Sequence, residues 1–287
     1  MPSASPTPPT ATDKLGLLAG RGPLPRKLVE ACQRSGRELF VIAFRNETDP
    51  ATVEGVAHAW VDLAAVGRTL RVLRDAGVGE LVLLGPVGRP DFTALRPDWH
   101  GARLLPKVLK AARQGDDAIM KVVVDDLEQQ GFRVVGAEQI MAELAPGGGP
   151  LGRHRPQERD LADIRRGVEV VAALGRLDIG QAVVVRNGYV LAVEAAEGTD
   201  AMLERCAGLD RVDTDGGVLV KLPKPGQERR ADLPTIGLPT VERCVRAGLN
   251  GIALEAGGAL IDDRDDVVRL ADEKGLFIFG LEPGTAG

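Results

Sequence analysis

The residues best suited to chemistry lie in one polar stretch, Lys221-Leu222-Pro223-Lys224-Pro225-Gly226-Gln227-Glu228-Arg229-Arg230-Ala231-Asp232-Leu233-Pro234-Thr235-Ile236-Gly237, preceded by Glu197-Gly198-Thr199-Asp200. Lysines and a carboxylate set between prolines suit hydrolysis of a phosphoanhydride. The ammonium groups neutralise charge developing on phosphoryl oxygens, and the carboxylate either holds a divalent ion or accepts a proton from attacking water. A solvated surface loop of mixed charge has a similar composition. The prolines at 223, 225 and 234 fix an extended path, however, and a plain connection rarely holds so many rigid and charged residues.

Two glycine-rich turns offer a second kind of chemistry. Gly20-Arg21-Gly22-Pro23-Leu24-Pro25 ends an apolar run and opens a helical pattern, where backbone N–H groups can approach a phosphate. It falls short of a dinucleotide fingerprint: Pro25 stands at the third glycine, and Phe44-Arg45 ends the next strand without an acid. Gly85-Pro86-Val87-Gly88-Arg89-Pro90-Asp91-Phe92 follows the most apolar strand of the first half, and the forked donors of Arg89 suit a diphosphate or carboxylate. Ligand-free tight turns account for the same residues. Gly115-Asp116-Asp117 sits where a helix starts, a position at which aspartate commonly caps.

Other clusters read as structure. Asp262-Asp263-Arg264-Asp265-Asp266 begins a helix, where acids favour the positive end of the dipole. His58, His100 and His154 lack metal-ligand spacing, and there is no GxxxxGK[ST] loop. Cys32, Cys206 and Cys244 form neither a CxxC pair nor a disulfide framework, which fits a reducing cytoplasm.

The elements that must position these groups follow from hydrophobic periodicity. Leu15 to Ala19, Leu39 to Phe44, His58 to Leu63 and Leu81 to Leu84 read as strands alternating with helices, hence a parallel sheet with covered faces. Helices at Ala102 to Arg113 and Asp117 to Gln130 precede an extended Phe132 to Val135. The expected fold class is α/β: an N-terminal Rossmann-like parallel-sheet domain (15–145), then a mixed α/β catalytic domain (158–287). A flexible tail (1–14) precedes them, and a Gly/Pro-rich linker (146–157) separates them. In the second half Asn187-Gly188 between two apolar runs signals a type I′ hairpin. The glycine turns and the charged loop are expected to meet in a cleft between the domains.

Composition sets outer limits. With 287 residues, 44% hydrophobic and 27% charged, the chain is long enough for two cores. A net charge of −5 disfavours broad binding to nucleic acid. The apolar runs fall far short of the ~18 residues that a membrane-spanning helix needs.

The ordered series of motifs resembles the LpxI type of UDP-2,3-diacylglucosamine pyrophosphatase, a family of lipid A biosynthesis in Gram-negative bacteria. The matching residues are Ala19-Gly20-x-Gly22-x-Leu24-Pro25, Arg89-Pro90-Asp91-Phe92, Gly115-Asp116-Asp117, Leu177-Asp178-Ile179-Gly180-Gln181 and Val193-Glu194. They continue with Glu197-Gly198-Thr199-Asp200-Ala201-Met202-Leu203, Lys221-x-x-Lys224-Pro225-x-Gln227, Asp232-Leu233-Pro234-Thr235-Ile236-Gly237, Ala247-Gly248-Leu249-x-Gly251-Ile252 and Glu255-Ala256-Gly257. The resemblance implies Mg²⁺-dependent hydrolysis of UDP-2,3-diacylglucosamine to UMP and 2,3-diacylglucosamine 1-phosphate, with water attacking the sugar-side phosphorus.

It also implies that Asp232 is catalytic, as Mg²⁺ ligand or base. Gly20, Gly22, Leu24, Gly85, Arg89, Pro90, Asp116, Asp117, Gln181, Thr199, Asp200, Lys221, Lys224 and Gln227 would be substrate-binding. Arg21 and Pro23 depart from the smaller residues usual in the first turn. An acylated substrate implies peripheral contact of a cytoplasmic protein with the inner membrane; a homodimer is allowed. The competing readings are an NAD(P)-dependent oxidoreductase built on the Gly20 turn and a non-catalytic nucleotide-sugar-binding module.

Overall fold

The computed structural model of the chain describes residues 14–88, 96–209 and 216–284. They form two compact units divided between Ile140 and Met141, with Gly115–Asp117 grouped with the second. Arg89, Pro90, Asp91 and Phe92 of the second glycine loop lie outside the described residues, as do Asp213 and Asp215, whose place before Gly216-Gly217 predicts a turn.

The first unit runs β1 (Lys14–Ala19), α1 (Leu24–Ser35), β2 (Leu39–Phe44), β3 (His58–Val61), α2 (Val66–Asp75), β4 (Val78–Leu84), α3 (Trp99–Ala111), α4 (Asp116–Gln129) and β5 (Arg133–Val134). Its five strands are all parallel in the order β3-β2-β1-β4-β5, so the direction of winding reverses between β1 and β4. In such sheets the crevice at the carboxyl ends of the two central strands is where loops diverge. The strands read as unbroken apolar runs because helices cover both faces; Leu15, Leu17, Val41, Ile42, Leu81 and Val82 are fully buried.

Asp98 fixes the start of α3. One carboxylate oxygen accepts the Gly101 N–H at 2.9 Å and the other the Arg68 N–H at 2.9 Å, tying two helix beginnings together. Burial would raise its pKa, but these amides, that of Gly67 and nearby His100 outweigh it and hold the carboxyl below the usual range. Asp98→Ala is expected to lower stability by about 1–2 kcal/mol, measured by denaturant unfolding at neutral pH. Because the folded pKa is depressed, this stabilisation is present above the unfolded value of about 3.9 and is lost as the pH falls through the folded one. A loss that is equal at neutral pH and at acid pH below both values would contradict the assignment.

The second unit carries β6 (Gly149–Pro150), α5 (Glu158–Arg176), β7 (Ala182–Arg186), β8 (Tyr189–Val193), α6 (Gly198–Ala207), β9 (Val218–Lys221), β10 (Thr235–Ile236), α7 (Leu238–Arg246), β11 (Gly251–Glu255), β12 (Leu260–Ile261), α8 (Arg264–Lys274) and β13 (Phe277–Leu281). Six strands form a mixed sheet, β6-β13-β11-β9-β7-β8, and β10 pairs with β12 alone. Side chains alternate across the large sheet. Val183, Val185, Val218, Val220 and Ala253 face α5, whereas Ala182, Val184, Leu219, Ile252 and Leu254 share the opposite core with residues of α6, α7 and α8. Gly167 lets α5 lie against the sheet: a Cβ there would come within 2.4 Å of Val220 Cγ2. The hairpin forms at Asn187-Gly188, both with positive φ (50° and 78°), and buried Asp163 of α5 accepts both of their N–H groups.

The glycine-rich stretch 146–157 is more than a linker. Gly149–Pro150 pairs antiparallel with β13, and Leu151 N–H donates to Ile278 O at 2.9 Å. Edge pairing uses backbone groups and needs no apolar side chain, so composition carried no sign of it. At the other end of the chain β1 begins at Lys14, inside the stretch expected to be tail. Cys32, Cys206 and Cys244 are free and buried. No helix among the described residues is long and apolar enough to cross a membrane.

Candidate active site

The polar residues of the second unit gather at one edge of its mixed sheet. Lys221 is the last residue of β9, flanked in register by Ala182 at the start of β7 and Leu254 near the end of β11. Gln181 therefore enters at the same edge, and so does Glu194, whose N–H donates to Ala182 O just past the end of β8. Glu194 is buried and satisfied on both oxygens. The Thr199 hydroxyl donates to one at 2.6 Å and the Gln181 N–H to the other at 3.0 Å. Gly180 makes room for this turn, since a Cβ there would stand 2.1 Å from the Glu194 carbonyl oxygen.

Beyond Lys221 the chain is steered by its prolines. Leu222 N–H still pairs with Gln181 O, extending the ladder by one rung, and then Lys224-Pro225-Gly226-Gln227 closes a turn through Gln227 N–H to Lys224 O at 3.0 Å. Proline at the second position and glycine with φ +76° at the third are the requirements of a type II turn. The turn brings the buried Gln227 side chain back on the loop: its oxygen accepts the Lys224 N–H at 2.7 Å, and its nitrogen donates to Asp232 Oδ2 at 2.6 Å. The Lys224 N–H is only a donor, so the amide has one orientation, with its NH₂ facing Asp232.

Two further carboxylates brace the loop. The Lys224 ammonium is hydrogen-bonded to Asp178, which follows α5 in a left-handed conformation (φ 53°). Gly115 admits that carboxylate: it has φ +123°, and a Cβ would lie 1.4 Å from Asp178 Oδ2. Asp117, in the first turn of α4, accepts the Glu228 N–H at 2.8 Å. Gly175 of α5 supports the turn from behind, where a Cβ would meet Pro225 Cδ at 2.6 Å.

The electrostatics are those of a crowded, opposed set. Lys221 is buried and donates to Thr235 O at 2.9 Å. Burial lowers its pKa, while Glu194, Asp200 and Asp232 favour its charged form. Asp232 remains open to solvent along part of its surface. The protein packed around it nevertheless raises its carboxyl above the usual aspartate range, and Asp117 adds to the rise; Gln227, Lys224 and Lys221 pull the other way. A site with two ammonium groups beside a carboxylate shifted toward neutrality can bind phosphoryl oxygens and accept a proton.

Among the expected residues, Lys221, Lys224, Gln227 and Asp232 thus meet in one network with Asp117, joined through Glu194 to Gln181 and Thr199. Asp200 lies in the first turn of α6, exposed and 3.4 Å from Arg243. Asp116 opens α4, where the helix dipole favours an acid. Asp178 and Glu194, which the sequence marks only as members of the matching segments, prove to hold Lys224 and the sheet edge. A signal was available in both: each is an isolated acid at the end of an apolar or helical run. Among the described residues no group of three or more His, Cys, Asp or Glu is arranged to hold a metal ion.

The Gly20 and Gly85 turns belong to the first unit and pack on each other. Gly20 N–H donates to Leu84 O and Arg21 N–H to Pro86 O, each at 2.8 Å. A Cβ on Gly20 would lie 2.2 Å from the Gly85 carbonyl oxygen. Close approach of two backbones is sufficient reason for glycine at 20 and 85. Gly22 has φ +86° and open space beside it, and Leu24 begins α1. Arg21 is engaged by Glu47 at 2.9 Å.

Two family models match the chain: one described as the LpxI N-terminal domain over residues 14–144, and one as the LpxI C-terminal domain over residues 147–279. A relative from Caulobacter vibrioides, named UDP-2,3-diacylglucosamine pyrophosphatase LpxI, is 46% identical over 275 residues. That match covers 94% of this chain and 98% of the relative.

Proposed function

Because the chain belongs to the LpxI family, we propose that it hydrolyses the diphosphate of UDP-2,3-diacylglucosamine, releasing UMP and 2,3-diacylglucosamine 1-phosphate in lipid A biosynthesis. The observation that carries this reading is the network at the end of β9, in which Gln227 holds Asp232 beside Lys221 and Lys224.

Lys221 and Lys224 bind the phosphoryl oxygens and stabilise the negative charge that builds on them as the bridge breaks. Asp232 accepts the proton of the attacking water; its raised pKa brings it closer to a base matched to neutral conditions. The Gln181 side-chain oxygen is buried without a hydrogen-bond partner among the described residues, so it is available to a hydroxyl or amide N–H of the acylated sugar. Thr199 and Asp200 border the same edge.

The donor set fits Mg²⁺. Asp117 and Asp232 are carboxylates close enough to influence each other, and this ion is usually held by one or two carboxylates together with substrate phosphates rather than by a full protein cage. With Asp232 as the base, Asp117 would hold the ion together with the substrate phosphates, Asp232 being the alternative ligand, and the ion would neutralise charge on the diphosphate.

Purified protein is expected to release UMP from the diacylated substrate, and EDTA is expected to stop the release. In water enriched in heavy oxygen the label should enter the sugar phosphate; label in UMP would reverse the assigned direction of attack. Failure to release UMP under any divalent ion would overturn the reading.

A pH profile probes the positioning of Asp232. Its carboxylate must be ionised to work, so the acid limb of kcat/KM is expected above the usual aspartate value of about 3.9. Gln227→Leu removes a hydrogen bond that favours the charged form and should move the limb to still higher pH. An unmoved limb would assign the titration to another group.

A further inference from the structure

One helix of the first unit carries charge of a single sign. In α3, Trp99–Ala111, there is no acidic residue, although the chain as a whole has a net charge of −5. Gly101, Leu104 and Ala111 form its buried side. Trp99, Arg103, Lys107 and Lys110 recur at i, i+4, i+8 and i+11 on the opposite side and are all exposed, and Arg113 follows just past the helix end. None of these four cations makes an ion pair with a described residue, whereas His100 turns inward to Asp126 at 2.9 Å.

Trp99 is 88% exposed and Leu109 41%. The helix that presents them is held firmly. Asp98 caps it, and Gly101 seats it so closely that a Cβ would lie 2.3 Å from the Ala64 carbonyl oxygen. An indole left in water on a capped helix, among cations that no described residue pairs, has the chemistry of a group that enters a lipid headgroup layer.

We propose that the outer face of α3 docks the protein on an anionic phospholipid surface, with Trp99 in the headgroup layer and Arg103, Lys107, Lys110 and Arg113 against the lipid phosphates. Charge complementarity selects this occupant. A second copy meeting the same face across a two-fold axis would set four cations against four. A nucleic acid would leave Trp99 and Leu109 without an apolar partner on a chain that is acidic overall. This inference stands on α3 and does not depend on the hydrolase reading.

The test uses the whole chain with vesicles of phosphatidylcholine, with and without phosphatidylglycerol. Of the two tryptophans, Trp60 is replaced by Phe so that Trp99 alone reports. Cosedimentation with the phosphatidylglycerol vesicles and a blue shift of Trp99 emission are expected, both weakening as salt is raised. Removing two charges with Arg103→Gln and Lys110→Gln should lower partitioning about thirtyfold, and Trp99→Ala should lower it again. UMP release from detergent-dispersed substrate should be unchanged in Trp99→Ala, which separates failure of docking from failure of catalysis. Several outcomes would overturn the proposal: no cosedimentation, equal binding to neutral vesicles, partitioning indifferent to these substitutions, or binding to heparin as tight as to the vesicles with no blue shift. Loss of a dimer in Trp99→Ala without lipid, with partitioning intact, would assign the face to self-association instead.

Discussion

Asp232→Asn is expected to reduce kcat for UMP release by about 10²–10⁴-fold, the usual contribution of a positioned acid–base group, while leaving the fold intact. The amide keeps the size of the side chain and can still meet the loop, but it cannot accept the proton of the attacking water. Because Asp232 is open to solvent on one side and is not part of either core, the melting temperature should hold to within a few degrees. Circular dichroism, thermal unfolding and single-turnover assays on the same preparation separate the two effects. An Asn variant with near-normal turnover would remove Asp232 from the catalytic role and transfer the question to Asp117.

Lys221→Met is expected to lower kcat by about 10²–10³-fold, the cost typical of losing one preorganised group aimed at developing charge. It is also expected to destabilise the second unit. Methionine fills a similar volume, so the cost arises from polar interactions: the Thr235 carbonyl loses its donor, and buried Glu194 loses a nearby opposite charge. Leaving a buried acceptor without its donor generally costs about 1–3 kcal/mol, while Glu194 keeps its two hydrogen bonds from Thr199 and Gln181. Thermal unfolding of the variant and the parent at neutral pH measures this. A variant as stable as the parent would show that neither Glu194 nor the Thr235 carbonyl depends on Lys221.

Much of this arrangement was legible before any coordinates. The strands at Lys14 to Ala19, Leu39 to Phe44, His58 to Val61 and Val78 to Leu84 stand where the apolar runs put them, to within a few residues at their ends. Asn187-Gly188 folds as its positive-φ preference requires. Lys224-Pro225-Gly226-Gln227 has the composition of its turn written in it. Short elements were invisible for a definite reason: β6, β10 and β12 are two residues each, and a two-residue strand has no period to detect. Gly20 and Gly85 show the reverse difficulty. Their sequence suggests ligand approach, whereas the packing of one loop on the other already explains them.

Periodicity, turn chemistry and motif order are local properties of the chain, so the α/β class, the family and a loop dense in lysine, carboxylate and proline could be read from the residues alone. Which acids brace that loop depends on long-range packing. Lys224 finds Asp178 across 46 positions, and Glu228 finds Asp117 across 111. Such pairings are set by how helices and strands pack, and so is the raised pKa of Asp232. Desolvation depends on which distant atoms exclude water, and no spacing along the chain encodes that.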